Sequence, residues 1–193
     1  MPSPIPHCPH SRMRHALGRL LAGLAMVLLG AQVQAASQDP YTHFFNDTFY
    51  DFIEEAENAK ESGKKAIFIF FEMDECPFCH RMKTTVFNQP AVQAYFREHF
   101  LNIALDIEGD VEMVGFDGED TTQKAWAFQE HRVRATPVMA FFDLSGQRIA
   151  RITGAVSGPE EFLWFGEYIV SGAYEKRPWI RYKRSRKQNA RSG

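Results

Sequence analysis

At 193 residues, 45% of them apolar, the chain can build one core of ordinary size with extensions at its ends, and it is too short for a second full domain. The formal charge of −2 hides an asymmetry. Three of the 22 cations lie before residue 20 and eight follow Glu175, while all 24 acids lie between Asp39 and Glu175. The body thus holds 11 cations against 24 acids, a net of −13, and the end is a basic arm.

In chain order, Arg12, Arg14 and Arg19 precede an apolar run from Leu20 to about Ala31, and Val33-Gln34-Ala35 offers small residues before a cleavage site. This is the pattern of a secretory signal peptide over residues 1–35, with a mature start at Ala36. The Pro-rich stretch before Met13 looks like no n-region, so Met13 reads as the true initiator. An uncleaved anchor is the competing reading, but the run is short of the roughly 20 apolar residues a membrane span needs. Export disfavours nucleic acid as a partner. It also removes Cys8, leaving Cys76 and Cys79. A loop so short removes little unfolded-state entropy, so an exported chain with this one pair uses it for exchange rather than stapling.

Residues 41–62 carry Phe44, Phe45, Phe49, Phe52, Ile53 and Ala56 at spacings of three and four, which predicts one amphipathic helix ending near Ser62-Gly63. Ile67 to Phe71 reads as a core strand reaching water at Asp74-Glu75. A helix follows the cysteines through Met82, Val86 and Phe87, and Pro90 kinks or restarts it before Val92, Tyr95, Phe96 and Phe100. Leu101 to Ile107 is the next strand. The acidic stretch from Glu108 to Lys124 reads as a solvated loop, or alternatively as a short hairpin bordering the active site. Thr121 or Thr122 caps a helix to about Glu130. Val138 to Asp143 and Gln147 to Val156 form a hairpin about Ser145-Gly146, and Ser157-Gly158-Pro159 opens a last helix through Val170.

The chemistry lies in Cys76-Pro77-Phe78-Cys79-His80. Two cysteines three apart close a disulfide if the chain turns into a helix there. Pro77 suits the first helical position, where its fixed φ helps and its missing N–H costs nothing. Cys76 then lies at the helix start, where orphan N–H groups favour a thiolate, and Cys79 is the shielded, resolving thiol. The same letters spell the Cys-x-x-Cys-His attachment signature of c-type haem, with His80 as axial ligand. The buried strand before the motif and the Thr136-Pro137 pair argue for dithiol chemistry instead. A zinc site would need ligands beyond this one pair.

The order helix, strand, Cys-x-x-Cys helix, strand, helix, Thr-Pro strand, strand, helix resembles the thioredoxin fold over roughly residues 41–172, an α/β architecture with a central mixed sheet flanked by helices. The leader, the Cys-Pro-aromatic-Cys, the Phe116-Asp117-Gly118 excursion before the third helix, and Val133-Arg134-Ala135-Thr136-Pro137 running into a strand most resemble the exported thioredoxin-like proteins of the SoxW type. The resemblance implies a thioredoxin-like domain over 36–174, a cis Pro137 facing the disulfide, and substrate backbone pairing at Thr136. It further implies a periplasmic thiol:disulfide oxidoreductase reducing protein disulfides, with a membrane thiol transporter of the DsbD or CcdA type as electron donor. A disulfide donor or isomerase would use the same site. No motif calls for a metal, nucleotide or flavin cofactor. The sequence departs from the family in two places. Glu75 stands where a Trp usually precedes the first cysteine, and Phe70 replaces the buried acid, leaving Glu72 or water to take the resolving thiol's proton. Asp74 and Glu75 raise the Cys76 pKa while the helix start lowers it, and a cationic His80 would stabilise a thiolate. The tail 175–193 reads as a disordered basic end. Weak contact with anionic lipid or an acidic partner, or folding back on the acidic body, are the alternatives.

Overall fold

The computed structural model describes residues 37–192. The expectations for the leader fall outside them. A four-stranded sheet in the order β2-β1-β5-β6 forms the centre, from β1 (Ala66–Glu72), β2 (Phe100–Asp106), β5 (Val138–Phe142) and β6 (Arg148–Thr153). β1 runs parallel to β2 and antiparallel to β5, and β5 is antiparallel to β6, so the sheet is mixed. All seven residues of β1 are buried. Their alternation splits the core in two. Ala66, Phe68 and Phe70 face one cluster, and Ile67, Ile69 and Phe71 face the other.

The first face is covered by α1 (Pro40–His43), α3 (Pro77–Met82), α4 (Pro90–His99) and α6 (Pro159–Val170), through tightly packed rings such as Phe96 on Phe162 at 4.1 Å and Phe44 on Phe87 at 4.6 Å. α3 continues as a π-turn over Lys83–Phe87, and Pro90 restarts the chain as α4, as its missing N–H demands. The second face is covered by α2 (Phe52–Glu61) and by α5 (Gln123–Ala125) with its π-helical continuation Trp126–Glu130. Thr122 is the cap of α5, its Oγ1 accepting from the Ala125 N–H at 3.2 Å.

Three expectations need correction. The helix predicted over 41–62 is two helices, because Asn46 exchanges hydrogen bonds with Asn102 on β2 and Asp51 is bound as an N-cap, accepting from Ile53 and Glu54. Phe44 and Phe45 fall into the core, whereas Phe49, on the connection, is 96% exposed. The acidic excursion is a hairpin, with β3 (Glu112–Val114) against β4 (Asp120–Thr122). It does not border the cysteines. Its Phe116 stacks on Phe52 at 4.9 Å and packs on Phe142, on the sheet face opposite the one that holds Cys76 and Cys79. Gly146 permits this, since at φ +82° any Cβ there would stand 2.4 Å from that of Phe116.

The third correction concerns the tail, which is a helix, α7 (Trp179–Ser192), reached through a 3₁₀ turn at Ala173–Glu175. Trp179 packs on Phe165 and Tyr168, Tyr182 is buried, and Lys183 and Arg186 pair with Glu161 and Glu167. A charge-rich composition suggested a loose end. Two aromatic anchors, Trp179 and Tyr182, and two matched carboxylates hold it down instead.

Candidate active site

Cys76 is the N-cap of α3, with extended backbone at φ −119° and ψ 98°, and Pro77 occupies the first helical position. The turn into the helix brings the two Cα atoms to 5.2 Å, and the sulfurs are joined in a disulfide. The Cys79 N–H donates to Cys76 Sγ at 3.0 Å, so a backbone donor at the helix start faces this sulfur. Cys76 is 5% exposed and Cys79 1%, so an outside reagent meets the first sulfur before the second. Phe78 projects outward at 59% exposure with the Arg81 guanidinium 5.8 Å from its ring. Arg81 also donates to the Val156 carbonyl, tying α3 to the loop after β6.

The β1–β5 register pairs Phe71 with Val138, which sets Thr136-Pro137 beside the end of β1, where that strand runs toward Cys76. The Thr136–Pro137 peptide bond is cis. Pro137 is buried and its carbonyl accepts from the Gly154 N–H at 2.8 Å, while Thr136 Oγ1 is buried with no partner among the described residues.

Glu72 is buried and engaged. Lys83 Nζ lies 2.7 Å from one of its carboxylate oxygens, Tyr41 Oη donates to the other at 3.0 Å, and Lys83 also reaches Tyr41 Oη at 2.6 Å. Burial would lower the Lys83 pKa, but Glu72 and Tyr41 outweigh it and hold the ammonium above its ordinary value. Burial comes first among the causes that raise Tyr41. Lys83 stands four residues after Cys79, on the same face of the helix. Glu75 and Asp74 are exposed. His80 is exposed and lines an open groove of about 490 Å³ with Gln38, Tyr41, Lys83 and Thr84; it makes no hydrogen bond to either sulfur among the described residues. Nor do any three of the described His, Cys, Asp and Glu residues form a set able to hold a metal.

His131 escaped the sequence reading, where nothing set it apart from the basic residues around it. Its ring lies 4.0 Å from that of Trp126 and packs against Phe71 and Phe142, with Nε2 unpartnered among the described residues, at the start of the segment leading to Thr136. Burial, then Arg148 and Arg151, push its pKa down to about 4. The unfolded state therefore binds a proton near pH 6.5 that the native state refuses until about pH 4. This contribution to stability is complete above pH 6.5 and is lost as pH falls through that window. It is worth about 2 kcal/mol once solvent screening of the partly exposed ring is allowed for. Urea unfolding of wild type and His131→Phe at pH 7 and pH 4.5 should show the wild type losing more stability on acidification by this amount. Equal losses would remove His131 from the account.

These features converge on one family. A model of thioredoxin-like domains matches residues 52–169, more than half of the chain. The chain belongs to the thioredoxin-like domain family. Among solved structures it is similar to a thioredoxin-fold protein from Helicobacter pylori, with 23% identity, 64% of this chain and 86% of that one covered, and a TM-score of 0.52. It is also similar to a disulphide-isomerase candidate from Bacteroides thetaiotaomicron, with 25% identity, 68% and 97% covered, and a TM-score of 0.50. No curated protein sequence matches it. Fold, Cys-x-x-Cys disulfide and neighbours together support a redox enzyme of the thioredoxin-like kind. No helix among the described residues is long and apolar enough to cross a membrane.

Proposed function

We propose that the protein is an exported, periplasmic thiol:disulfide oxidoreductase of the SoxW type that reduces protein disulfides. The reading rests chiefly on the Cys76 sulfur at the start of α3, with the Cys79 N–H aimed at it and the Cys79 sulfur bonded behind it. In the reduced enzyme the Cys76 thiolate attacks one sulfur of a client disulfide, forming a mixed disulfide and expelling the other client sulfur as a thiolate. Client backbone pairs alongside Thr136-Pro137, and the outward Phe78 widens the contact. Cys79 then loses its proton to water, since Lys83 and Tyr41 already hold both oxygens of Glu72, and attacks Cys76 Sγ. This releases the second client thiol and regenerates the enzyme disulfide. Two electrons pass to the client, and no group other than the cysteine pair carries them.

The oxidised enzyme is recharged by another dithiol, for which a membrane thiol transporter of the DsbD or CcdA type is the proposed donor. Sulfur-oxidation or cytochrome-maturation proteins are the proposed clients. The experiment is dithiothreitol-driven reduction of insulin, with and without the protein, together with the reduction potential of the Cys76–Cys79 couple. Acceleration over dithiothreitol alone and a potential near −270 mV support a reductase. A potential near −120 mV would instead make the same site a disulfide donor, and no acceleration would overturn exchange activity altogether. Amino-terminal sequencing of the exported form should read from Ala36.

A further inference from the structure

We infer that the outer face of α7 is a docking surface for an anionic lipid bilayer, a property separate from the disulfide chemistry. The helix carries six cations and no acid. Two of the six face the body and are matched there, Lys183 by Glu161 and Arg186 by Glu167. Arg184, Lys187 and Arg191, at steps of three and four residues, form one exposed line together with Ile180, which is 61% exposed; Lys183 borders this line, and Lys187 and Arg191 also look across the groove toward Glu160 and Glu161 on α6. None of the three makes an ion pair among the described residues. Arg181 flanks the row and is also exposed.

The shape of this row selects the partner. The cations are spread along the exposed side of α7, with Arg184 and Arg191 about 10 Å apart along the axis. Cations strung along an exposed helix side, with an apolar side chain among them, suit a flat, repeating array of phosphates better than a single peptide carboxylate, which is recognised by convergent donors in a pocket. The exposed Ile180 on the same line can enter the headgroup boundary. The charge of the rest of the chain then sets the orientation. A body of net −13 is repelled by an anionic leaflet, so α7 is turned toward the lipid and the remainder away. Each cation close to such a leaflet multiplies partitioning by about fivefold, so losing three should weaken it on the order of a hundredfold.

The test is co-sedimentation of the full chain with vesicles of equal parts phosphatidylcholine and phosphatidylglycerol, against vesicles of phosphatidylcholine alone. The variant is Arg184→Gln, Lys187→Gln and Arg191→Gln combined, with an unchanged urea midpoint showing that α7 still packs. Wild type should prefer the anionic vesicles and come off at about 0.5 M salt, where screening acts within a few ångström, and the variant should lose that preference. Equal binding by wild type and variant, equal binding to both vesicles, or no binding would each overturn the inference. Salt-sensitive self-association of the wild type without vesicles, and no preference for anionic ones, would overturn it in favour of the acidic body of a second copy.

Discussion

Cys76→Ser is expected to bring insulin reduction down to the rate of the chemical reductant alone, a fall on the order of 10³-fold or more, whereas Cys79→Ala should retain the first chemical step and accumulate a covalent adduct with its client. The asymmetry follows from position. Cys76 takes the N–H of residue 79 at 3.0 Å, while Cys79, 1% exposed, cannot reach an external disulfide. Because that donor belongs to the backbone, Cys79→Ala leaves it in place and the remaining thiolate stays stabilised. Asp74 and Glu75 oppose it, but both are exposed and their charges are screened by water. The helix start therefore wins, and alkylation of the Cys79→Ala protein should show a Cys76 pKa below the ordinary value of about 8.5. A value above it, or a Cys76→Ser protein that still forms adducts while Cys79→Ala does not, would reverse the roles.

Truncation after Glu175 is expected to cost about 4–6 kcal/mol, a large part of the roughly 5–15 kcal/mol that holds a domain folded. It removes the Trp179 ring from its contacts with Phe165 at 5.0 Å and Tyr168 at 5.6 Å, and removes buried Tyr182. Each aromatic lost from such a place is worth about 2–3 kcal/mol. Tyr168 Oη also loses the Arg177 carbonyl to which it donates at 2.6 Å. Burial raises the Glu161 pKa, but hydrogen bonds from Lys183 and Ser157 outweigh it and leave the carboxyl below its usual value, so part of the tail's contribution disappears as pH falls through that lowered pKa. Urea unfolding of the truncated and full chains measures the difference. A change under about 0.5 kcal/mol would mean that the tail is a loose end.

Much of this molecule follows from local letters. The uninterrupted run from Ala66 to Phe71 had to be a strand buried on both faces, Pro77 had to begin a helix, and that geometry alone brings Cys76 and Cys79 together. Capping by Thr122 and the restart at Pro90 are equally local, since each is decided within one turn of helix. Other features depend on partners far along the chain. Phe44 and Phe49 looked alike by spacing, but Asn102 on β2 captures Asn46 and turns the chain between them, so that one ring is buried and the other faces water. Glu72 looked like a free base until the fold set Tyr41 and Lys83 against it, and His131 had no distinction until Trp126 and Phe142 enclosed it. The tail shows the division most clearly. Its charges are legible in the sequence, but whether they are spent depends on Glu161 and Glu167, which only packing against α6 brings within reach. Short-range sterics and capping are written into neighbouring residues. The pairing of a charge or ring with a distant group belongs to the folded chain, because only folding supplies the partner.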